Sequence, residues 1–288
     1  MFNFFANIFG YVLNFIYGIV NNYGIAIILF TIILKIIILP ISIKQQKTMK
    51  KSSKIQVKVK EIQEKYKNDP TRMNQEVMDL YKKENMSPFS GCLSSIVQIV
   101  VVISMFYLVS RPLTYMKHID PELLNQYTQE LQEQEGNTNY KEIGIIRLKG
   151  EEDENVYLNM NFLGLNLSSI PSQNYNDWKV FIIPVLYVIT SVVSTRVTAK
   201  LNQPKKEEKK EEIKTDSETK DLVKKKDDEE DVNMMEEMNK NMVIMMPLMT
   251  VSIALIAPLG LALYWLVSNL MMLGERLLLN KFLKTEED

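Results

Sequence analysis

A single positive charge, Lys35, lies inside the most apolar run of the chain, residues 23–43. No residue before it has a charged side chain, and the next charge, Lys44, opens a dense basic stretch. About 20 apolar residues cross a bilayer, so this run is long enough to span one. An ammonium group at such a depth costs about 2.5–3.5 kcal/mol, which makes Lys35 a candidate functional group by default. The alternative is that its stem reaches the interface, but at 1.5 Å per residue Lys35 lies about 13 Å deeper than Lys44.

The chain offers few groups for catalysis or metal binding. Cys92 and His118 are the only cysteine and histidine, so no Cys/His metal cluster and no catalytic triad is expected inside the membrane. No GxGxxG or P-loop motif follows a strand, so no cofactor is predicted. The 34 basic and 35 acidic residues nearly balance, so the net charge gives no indication of a nucleic-acid partner, and none is expected. We expect a membrane protein that is not an enzyme.

The charges are separated into blocks between apolar runs, a pattern typical of a multi-span membrane protein. Residues 44–86 hold 12 basic and 6 acidic side chains, which the positive-inside rule places in the cytoplasm. Residues 111–177 hold 5 basic and 11 acidic side chains, as an exterior segment should. Residues 241–274 carry no charge and would form a helix of about 50 Å, too long for a hydrocarbon core of about 30 Å. Pro258 and Gly260 therefore divide this run into two spans.

These patterns predict an all-α membrane protein with five transmembrane helices and a cytoplasmic amphipathic helical hairpin, its N-terminus outside and its C-terminus in the cytoplasm. No removable signal peptide is expected, because the first residues lack a basic region and an A-x-A site. In chain order the predicted segments are an interfacial amphipathic helix (1–22), the first span (23–43), the basic hairpin (44–86), the second span (91–110), the acidic exterior segment (111–177), the third span (178–195), a charged cytoplasmic linker (196–240), the fourth span (242–257), the fifth span (259–280) and a cytoplasmic tail (281–288).

Two of these segments have predictable internal structure. In the hairpin, apolar stripes at helical spacing indicate two helices, and Asp69-Pro70 provides an N-cap and a first-position proline for the second helix. In the exterior segment, residues 120–135 are predicted to be helical, and the remainder, including NYKEIGIIRLKG and NFLGLNLSS, to be irregular or weakly strand-like.

Four stretches carry a family resemblance. They read LKIIILPISIKQQKTMKKSSKIQVKVKEIQEKYKND, SPFSGCLSSIVQI, FLGLNLS and PLGLALYWLVSN. In this order they resemble the first span with its basic hairpin, the second-span entrance, the segment before the third span and the fifth span of the YidC/Oxa/Alb membrane insertase family. The resemblance covers most of residues 20–284, and it leaves out the acidic exterior segment and the Lys/Glu-rich linker.

The resemblance implies a bacterial plasma-membrane protein that inserts integral membrane proteins and helps them fold, alone or with the Sec translocon. Its implied partners are nascent membrane proteins, ribosome–nascent chains and the phospholipid bilayer. The five helices of such proteins enclose a hydrophilic groove that opens to the cytoplasm and to lipid. A positive charge in that groove, usually arginine, attracts the acidic N-terminal tail of a substrate. Lys35 takes that place here, as an unpartnered charge, but it lacks the fork with which arginine grips a carboxylate.

The same resemblance and the helical spacing select the remaining site residues. The predicted substrate-binding groove consists of Thr31, Lys35, Ser42, Gln98, Ser191, Ser194, Trp265 and Asn269. The predicted cytoplasmic docking surface, for anionic lipid or an incoming chain, consists of Lys44, Lys47, Lys50, Lys51 and Lys54. For the small polar residues the alternative is ordinary packing between membrane helices, and for the lysines it is a solvated hairpin that only sets topology.

Two other functions stay open from the sequence. An ion- or solute-coupled transporter could use Lys35 as its intramembrane charge, although transporters usually show internal repeats and paired acidic residues within their spans. A membrane scaffold could present the Lys/Glu-rich linker to a cytoplasmic complex. Under the scaffold hypothesis, replacing Lys35 should have no effect.

Overall fold

The computed structural model of the protein describes residues 2–85, 90–136, 139–202 and 252–285, and nearly all of its regular structure is helical. The α-helices are α1 Phe2–Val20, α2 Tyr23–Lys65, α3 Pro70–Lys83, α4 Ser90–Ser110, α5 Pro121–Glu135, α6 Lys141–Lys149, α7 Ile182–Asn202 and α8 Leu259–Thr285. The shorter elements are a π-helical turn Leu113–Lys117, strands β1 Asn161–Phe162 and β2 Leu165–Asn166, and 3-10 turns Pro171–Gln173 and Trp178–Phe181. Most of the predicted linker and fourth span lies outside the described residues.

Among the described residues, three helical stretches are long and apolar enough to cross a membrane: α1, α2 and Trp178–Thr198. A shorter apolar stretch, Ile99–Ser110, lies in α4. Helix α2 also turns large apolar side chains outward, since Ile36 and Ile37 are 61% and 66% exposed. Such a surface is unfavourable in water and suits lipid. The prediction of an all-α membrane protein is confirmed, while the count of five spans and the interfacial position of residues 1–22 stay predictions.

Helix α2 joins the predicted first span and the first hairpin helix without a break. Its 43 residues correspond to about 65 Å of helix. Asn22 caps its start, because the side-chain oxygen accepts a hydrogen bond from the Ile25 amide at 3.1 Å. Pro40 lies within the helix and does not end it. Lys35 and the hairpin lysines are therefore carried by one continuous helix.

The predicted helical hairpin forms between the second half of α2 and α3. Asp69 caps α3 by accepting a hydrogen bond from the Arg72 amide at 3.0 Å, and Pro70 follows at the first helical position, as predicted. Ile55 is buried, at 2% exposure. At the far end of α3, the Glu84 carboxylate forms an ion pair with the Lys58 ammonium, with Oε1 and Nζ 2.8 Å apart. The hairpin is held by a small apolar contact and by charges that face water.

Helix α1 packs closely against α4 and the π-helical turn. Gly10 is the point of closest approach, because a methyl group there would lie 1.7 Å from the Tyr115 carbonyl oxygen. Leu13 of α1 and Met105 and Leu108 of α4 are all fully buried. The glycine is therefore required by the contact between the two backbones.

Residues 156–170 cover the first turns of α2 and α8, and we call this part of the molecule the capped end. The Tyr23 amide donates to the Asn159 carbonyl at 3.0 Å, the Leu259 amide to the Ser169 carbonyl at 2.9 Å and the Gly260 amide to the Leu167 carbonyl at 2.9 Å. The first amides of a helix have no partner within it, so these carbonyls satisfy groups that would otherwise be orphaned. The short β1–β2 hairpin lies within this cover.

The prediction for the rest of the 111–177 segment is wrong in one place. Residues 120–135 are helical as predicted, and the 161–166 stretch is weakly strand-like as predicted, but Lys141–Lys149 forms helix α6. Three residues of α6, Ile143, Ile145 and Ile146, are buried, and the Lys149 ammonium pairs with Glu130 of α5 at 2.9 Å. Packing against α5 therefore fixes a helix that local sequence does not indicate.

Helix α6 is also tied to the π-helical turn by a buried carboxylate. Glu142 is 6% exposed, and its two oxygens accept hydrogen bonds from the Thr114 amide at 2.9 Å and the Thr114 hydroxyl at 2.5 Å. Burial raises the pKa of Glu142, and the bonds from Thr114 oppose that rise only in part. This link makes the stability of the 111–177 segment dependent on pH.

Candidate functional site

Lys35 lines a cavity of about 360 Å³ between α2, α4, α7 and α8, which we call the Lys35 cavity. Lys35 is half-buried, and among the described residues it makes no hydrogen bond or ion pair. The Tyr187 and Trp265 rings line this cavity and contact each other, with their centroids 5.9 Å apart. The cavity is lined by Lys35, Val102, Tyr187, Ser191, Ile253, Tyr264, Trp265, Ser268, Asn269 and Met272.

A second cavity of about 280 Å³ adjoins the first between α7 and α8, and we call it the Arg276 cavity. Its lining consists of Ser191, Ser194, Thr195, Thr198, Asn269, Met272 and Arg276. Ser191, Asn269 and Met272 belong to both linings, so the two cavities are neighbours, and we call the pair the groove. From the level of Tyr187 to the level of Thr198 the groove follows α7 for about 16 Å.

Five of the eight predicted groove residues line these two cavities. Lys35 and Trp265 line the first, Ser194 lines the second, and Ser191 and Asn269 line both. Besides Lys35 on α2, four predicted positions from two further helices, α7 and α8, therefore line the Lys35 cavity or the cavity next to it. What they can do chemically is bind a polar or anionic group, since ammonium, hydroxyl, amide and indole groups all offer donors.

The other three predicted groove residues do not line the cavities. Thr31 is 1% exposed, and its hydroxyl donates to the Ile27 carbonyl of its own helix at 2.7 Å. Its hydroxyl proton is therefore already used within α2. Ser42 lies seven residues after Lys35 on α2 and belongs to neither lining. The side chain of Gln98 lies outside the described part of the chain.

The structure adds a second cation that sequence reasoning missed. Arg276 is half-buried in the Arg276 cavity and donates a hydrogen bond to the Thr198 hydroxyl. Glu275 and Arg276 both lie near enough to Lys35 to interact with it electrostatically. The sequence prediction names no cation of the groove other than Lys35, so Arg276 is an addition to it. The sequence signal was the spacing of Trp265, Asn269, Met272 and Arg276, which puts all four on one helix face.

The predicted docking lysines lie on the α2 side of the hairpin. Lys44, Lys47, Lys51 and Lys54 are exposed and Lys50 is half-buried. Lys51 donates to the Glu84 carbonyl at 2.6 Å, so part of this surface binds the hairpin itself. No group of three or more His, Cys, Asp or Glu residues that could hold a metal ion occurs among the described residues.

Comparison with known proteins places the chain in a family. The family described as 60Kd inner membrane protein matches residues 15–287. A relative named membrane protein insertase YidC, from Syntrophus aciditrophicus, is 48% identical over 94 residues, which are 33% of this chain and 17% of the relative. A relative of the same name from Francisella tularensis subsp. novicida is 40% identical over 107 residues, which are 37% of this chain and 19% of the relative.

The matched regions thus cover less than a fifth of the length of these relatives, while the family match covers nearly the whole chain. The family match includes both cavities and the basic hairpin. Its description as an inner membrane protein agrees with the apolar helices and places the protein in a membrane. This chain belongs to the 60Kd inner membrane protein family, which is the YidC/Oxa/Alb family that its sequence resembles.

Proposed function

We propose that this protein is a membrane protein insertase, which moves the polar end of a substrate into the bilayer and leaves its apolar helix in lipid. The observation that carries the proposal is the half-buried Lys35 ammonium, which lines a cavity together with hydroxyl and amide side chains from α7 and α8. The names of the relatives support the same activity for this chain.

The first step is electrostatic. The attraction between Lys35 and a carboxylate is stronger in a partly desolvated cavity than in bulk water, because the effective dielectric constant is lower. An acidic N-terminal tail would therefore be drawn into the groove. Lys35 has no hydrogen bond or ion pair within the described chain, so its ammonium is available to such a tail.

The second step is hydrophobic. Each Leu, Ile, Phe or Val of the substrate contributes about 0.3–0.6 kcal/mol at the centre of a span when its helix enters lipid. This partition supplies the driving free energy, so the mechanism needs no nucleotide. Moving the polar tail of the substrate into the bilayer is the step with an unfavourable free energy, and the groove makes that free energy less unfavourable.

We further propose that the groove opens to the cytoplasm and is closed to the exterior. The basic surplus of residues 44–86 supports a cytoplasmic hairpin, and with five spans the N-terminus lies outside and the C-terminus inside. The capped end would then face the exterior, where its backbone hydrogen bonds would close the helix ends. In this orientation the hairpin lysines face the ribosome–nascent chain, the Sec translocon or anionic headgroups at the plasma membrane of a bacterial cell.

The transporter hypothesis gains no support from these observations. Glu275 is the acidic residue nearest to Lys35, and it lies beside Arg276 at the end of the apolar part of α8, so paired acids deep in the spans are not found in the described residues. The scaffold hypothesis differs from the insertase in one outcome, because only the insertase requires charge at Lys35.

The test is charge replacement at Lys35 in cells depleted of other insertases. Lys35→Arg should support growth and insertion, Lys35→Ala should insert substrates with acidic tails about tenfold more slowly, and Lys35→Glu should be the most impaired because it repels the tail. Pulse-labelling and protease protection of a single-span substrate would measure insertion. Unimpaired insertion by the glutamate variant, at equal protein abundance, would reject the mechanism.

A further inference from the structure

Arg276 is a groove cation that the family pattern does not assign. It lies on the same face of α8 as Asn269 and Met272, and with them it lines the Arg276 cavity. Its guanidinium donates to the Thr198 hydroxyl, which uses one of its five N–H donors. The remaining donors have no hydrogen-bond acceptor or ion-pair partner among the described residues, so the group retains capacity for an anion.

Ser194 provides a second, independent sign of a ligand position. It is 3% exposed, lines the same cavity, and its hydroxyl has no hydrogen-bond partner in the described part of the chain. Buried hydroxyl groups are nearly always hydrogen-bonded, and leaving one unpaired costs about 1–3 kcal/mol. Because Ser194 and Arg276 line the same cavity, the Ser194 hydroxyl has a proton to offer to an anion that binds there.

The charges around this position favour an anion. Lys35 and Arg276 contribute two positive charges to the groove, and Glu275 contributes one negative charge near both of them. Glu275 weakens the attraction but leaves the set with a net charge of +1. The Arg276 and Lys35 cavities share Ser191, Asn269 and Met272 in their linings.

We propose that Arg276 and Ser194 form a second anion-binding position, which takes a side-chain carboxylate of the inserting segment before that carboxylate reaches Lys35. Thr198 holds the guanidinium in place, because its hydroxyl accepts from Arg276 and donates its own proton to the Ser194 carbonyl at 2.7 Å. This inference rests on the proposed insertase function. Arginine binds a carboxylate with two parallel N–H bonds, which lysine cannot do, so Arg276 supplies the geometric selectivity that Lys35 lacks. Lys35 then serves as the deeper point charge.

The experiment compares two forms of one single-span substrate, one with two acidic residues in its N-terminal tail and one with the corresponding amides. Arg276→Gln should slow insertion of the acidic form about fivefold and leave the amide form within twofold of wild type. Arg276→Lys should lose the bidentate contact but keep the charge, and should fall between wild type and Arg276→Gln. Equal slowing of both forms, or slowing of neither, would overturn the inference.

Ser194→Ala makes the test independent of the folding of the arginine variants. Removal of a hydroxyl that has no partner should leave thermal stability in detergent unchanged or higher, whereas insertion of the acidic form should fall by about two- to threefold. Unchanged insertion by Ser194→Ala would count against the position. If Lys35→Glu slows insertion of the acidic form and Arg276→Gln does not, the second anion-binding position is rejected and the proposed function stands. If Lys35→Glu does not slow insertion at all, the proposed function itself is rejected.

Discussion

The two ends of the group formed by α2, α7 and α8 are built in opposite ways. At the capped end, Tyr23, Leu259 and Leu261 are at most 1% exposed, and carbonyls of residues 156–170 pair with the first amides of α2 and α8. We call the other end, which holds the Lys35 and Arg276 cavities, the groove end. It holds two half-buried cations. A buried hydroxyl without a partner does not distinguish the ends, since Tyr23 at the capped end and Ser194 at the groove end each have one in the described part of the chain.

The difference comes from side-chain size and polarity along the same helices. Leu259, Leu261 and Leu263 fill the start of α8, whereas Ser268, Asn269 and Met272 follow two to three turns later and leave the space that becomes the cavities. Helices α7 and α8 pack against each other. The same helices therefore have one end packed with leucines and another end that leaves two cavities.

The largest expected effect tests the sealed packing next to the capped end. Gly10→Ala places a methyl group into the Tyr115 carbonyl and should destabilise the protein by about 3 kcal/mol, measured as thermal unfolding in detergent. Gly18→Ala on the same helix is the matched control, because a methyl group there meets nothing within 4 Å. That variant should be neutral or more stable by about 0.5–1 kcal/mol. Equal stability of the two variants would show that α1 does not approach the π-helical turn this closely.

A smaller effect is expected from pH at the link between α6 and the π-helical turn. Burial raises the pKa of Glu142, so the folded state favours the protonated form. The stabilising contribution is then complete at a pH below the pKa of an unfolded glutamate and is lost as the pH rises through the raised pKa. The melting temperature of wild type should therefore fall, relative to Glu142→Gln, as the pH is raised from 4 to 8. Parallel pH profiles of the two proteins would contradict this assignment.

The sequence predicts the elements well where a strong local signal exists. Lys35 is recognisable because it is a charge within an apolar run, and α3 because Asp69 and Pro70 mark its start. Helix α6 gives no such signal, since Gly144 and three isoleucines have weak helix propensity, and its conformation depends on packing of Gly144 close to Leu131 of α5.

The groove itself could be predicted only in part. Ser191, Trp265 and Asn269 follow from the motif and the helix face, and the structure brings them to the cavities. Arg276 looks in the sequence like an ordinary charge that ends a span, and only the pairing of α7 with α8 turns it into a cavity residue. Thr31 is the opposite case: the sequence places it on the groove face, but its hydroxyl donates to the Ile27 carbonyl of its own helix.

The comparison between the two ends is tested most directly by the accessibility of single cysteines. In a Cys92→Ser background, Ser191→Cys reports on the groove end, and Ala262→Cys, at a position with 0% exposure, reports on the sealed part of α8. We predict that a membrane-impermeant maleimide applied from the cytoplasmic side labels Ser191→Cys rapidly, and Ala262→Cys at least tenfold more slowly. Equal rates at the two positions, or labelling of Ser191→Cys only from the exterior, would contradict a groove that is wet at one end and sealed at the other.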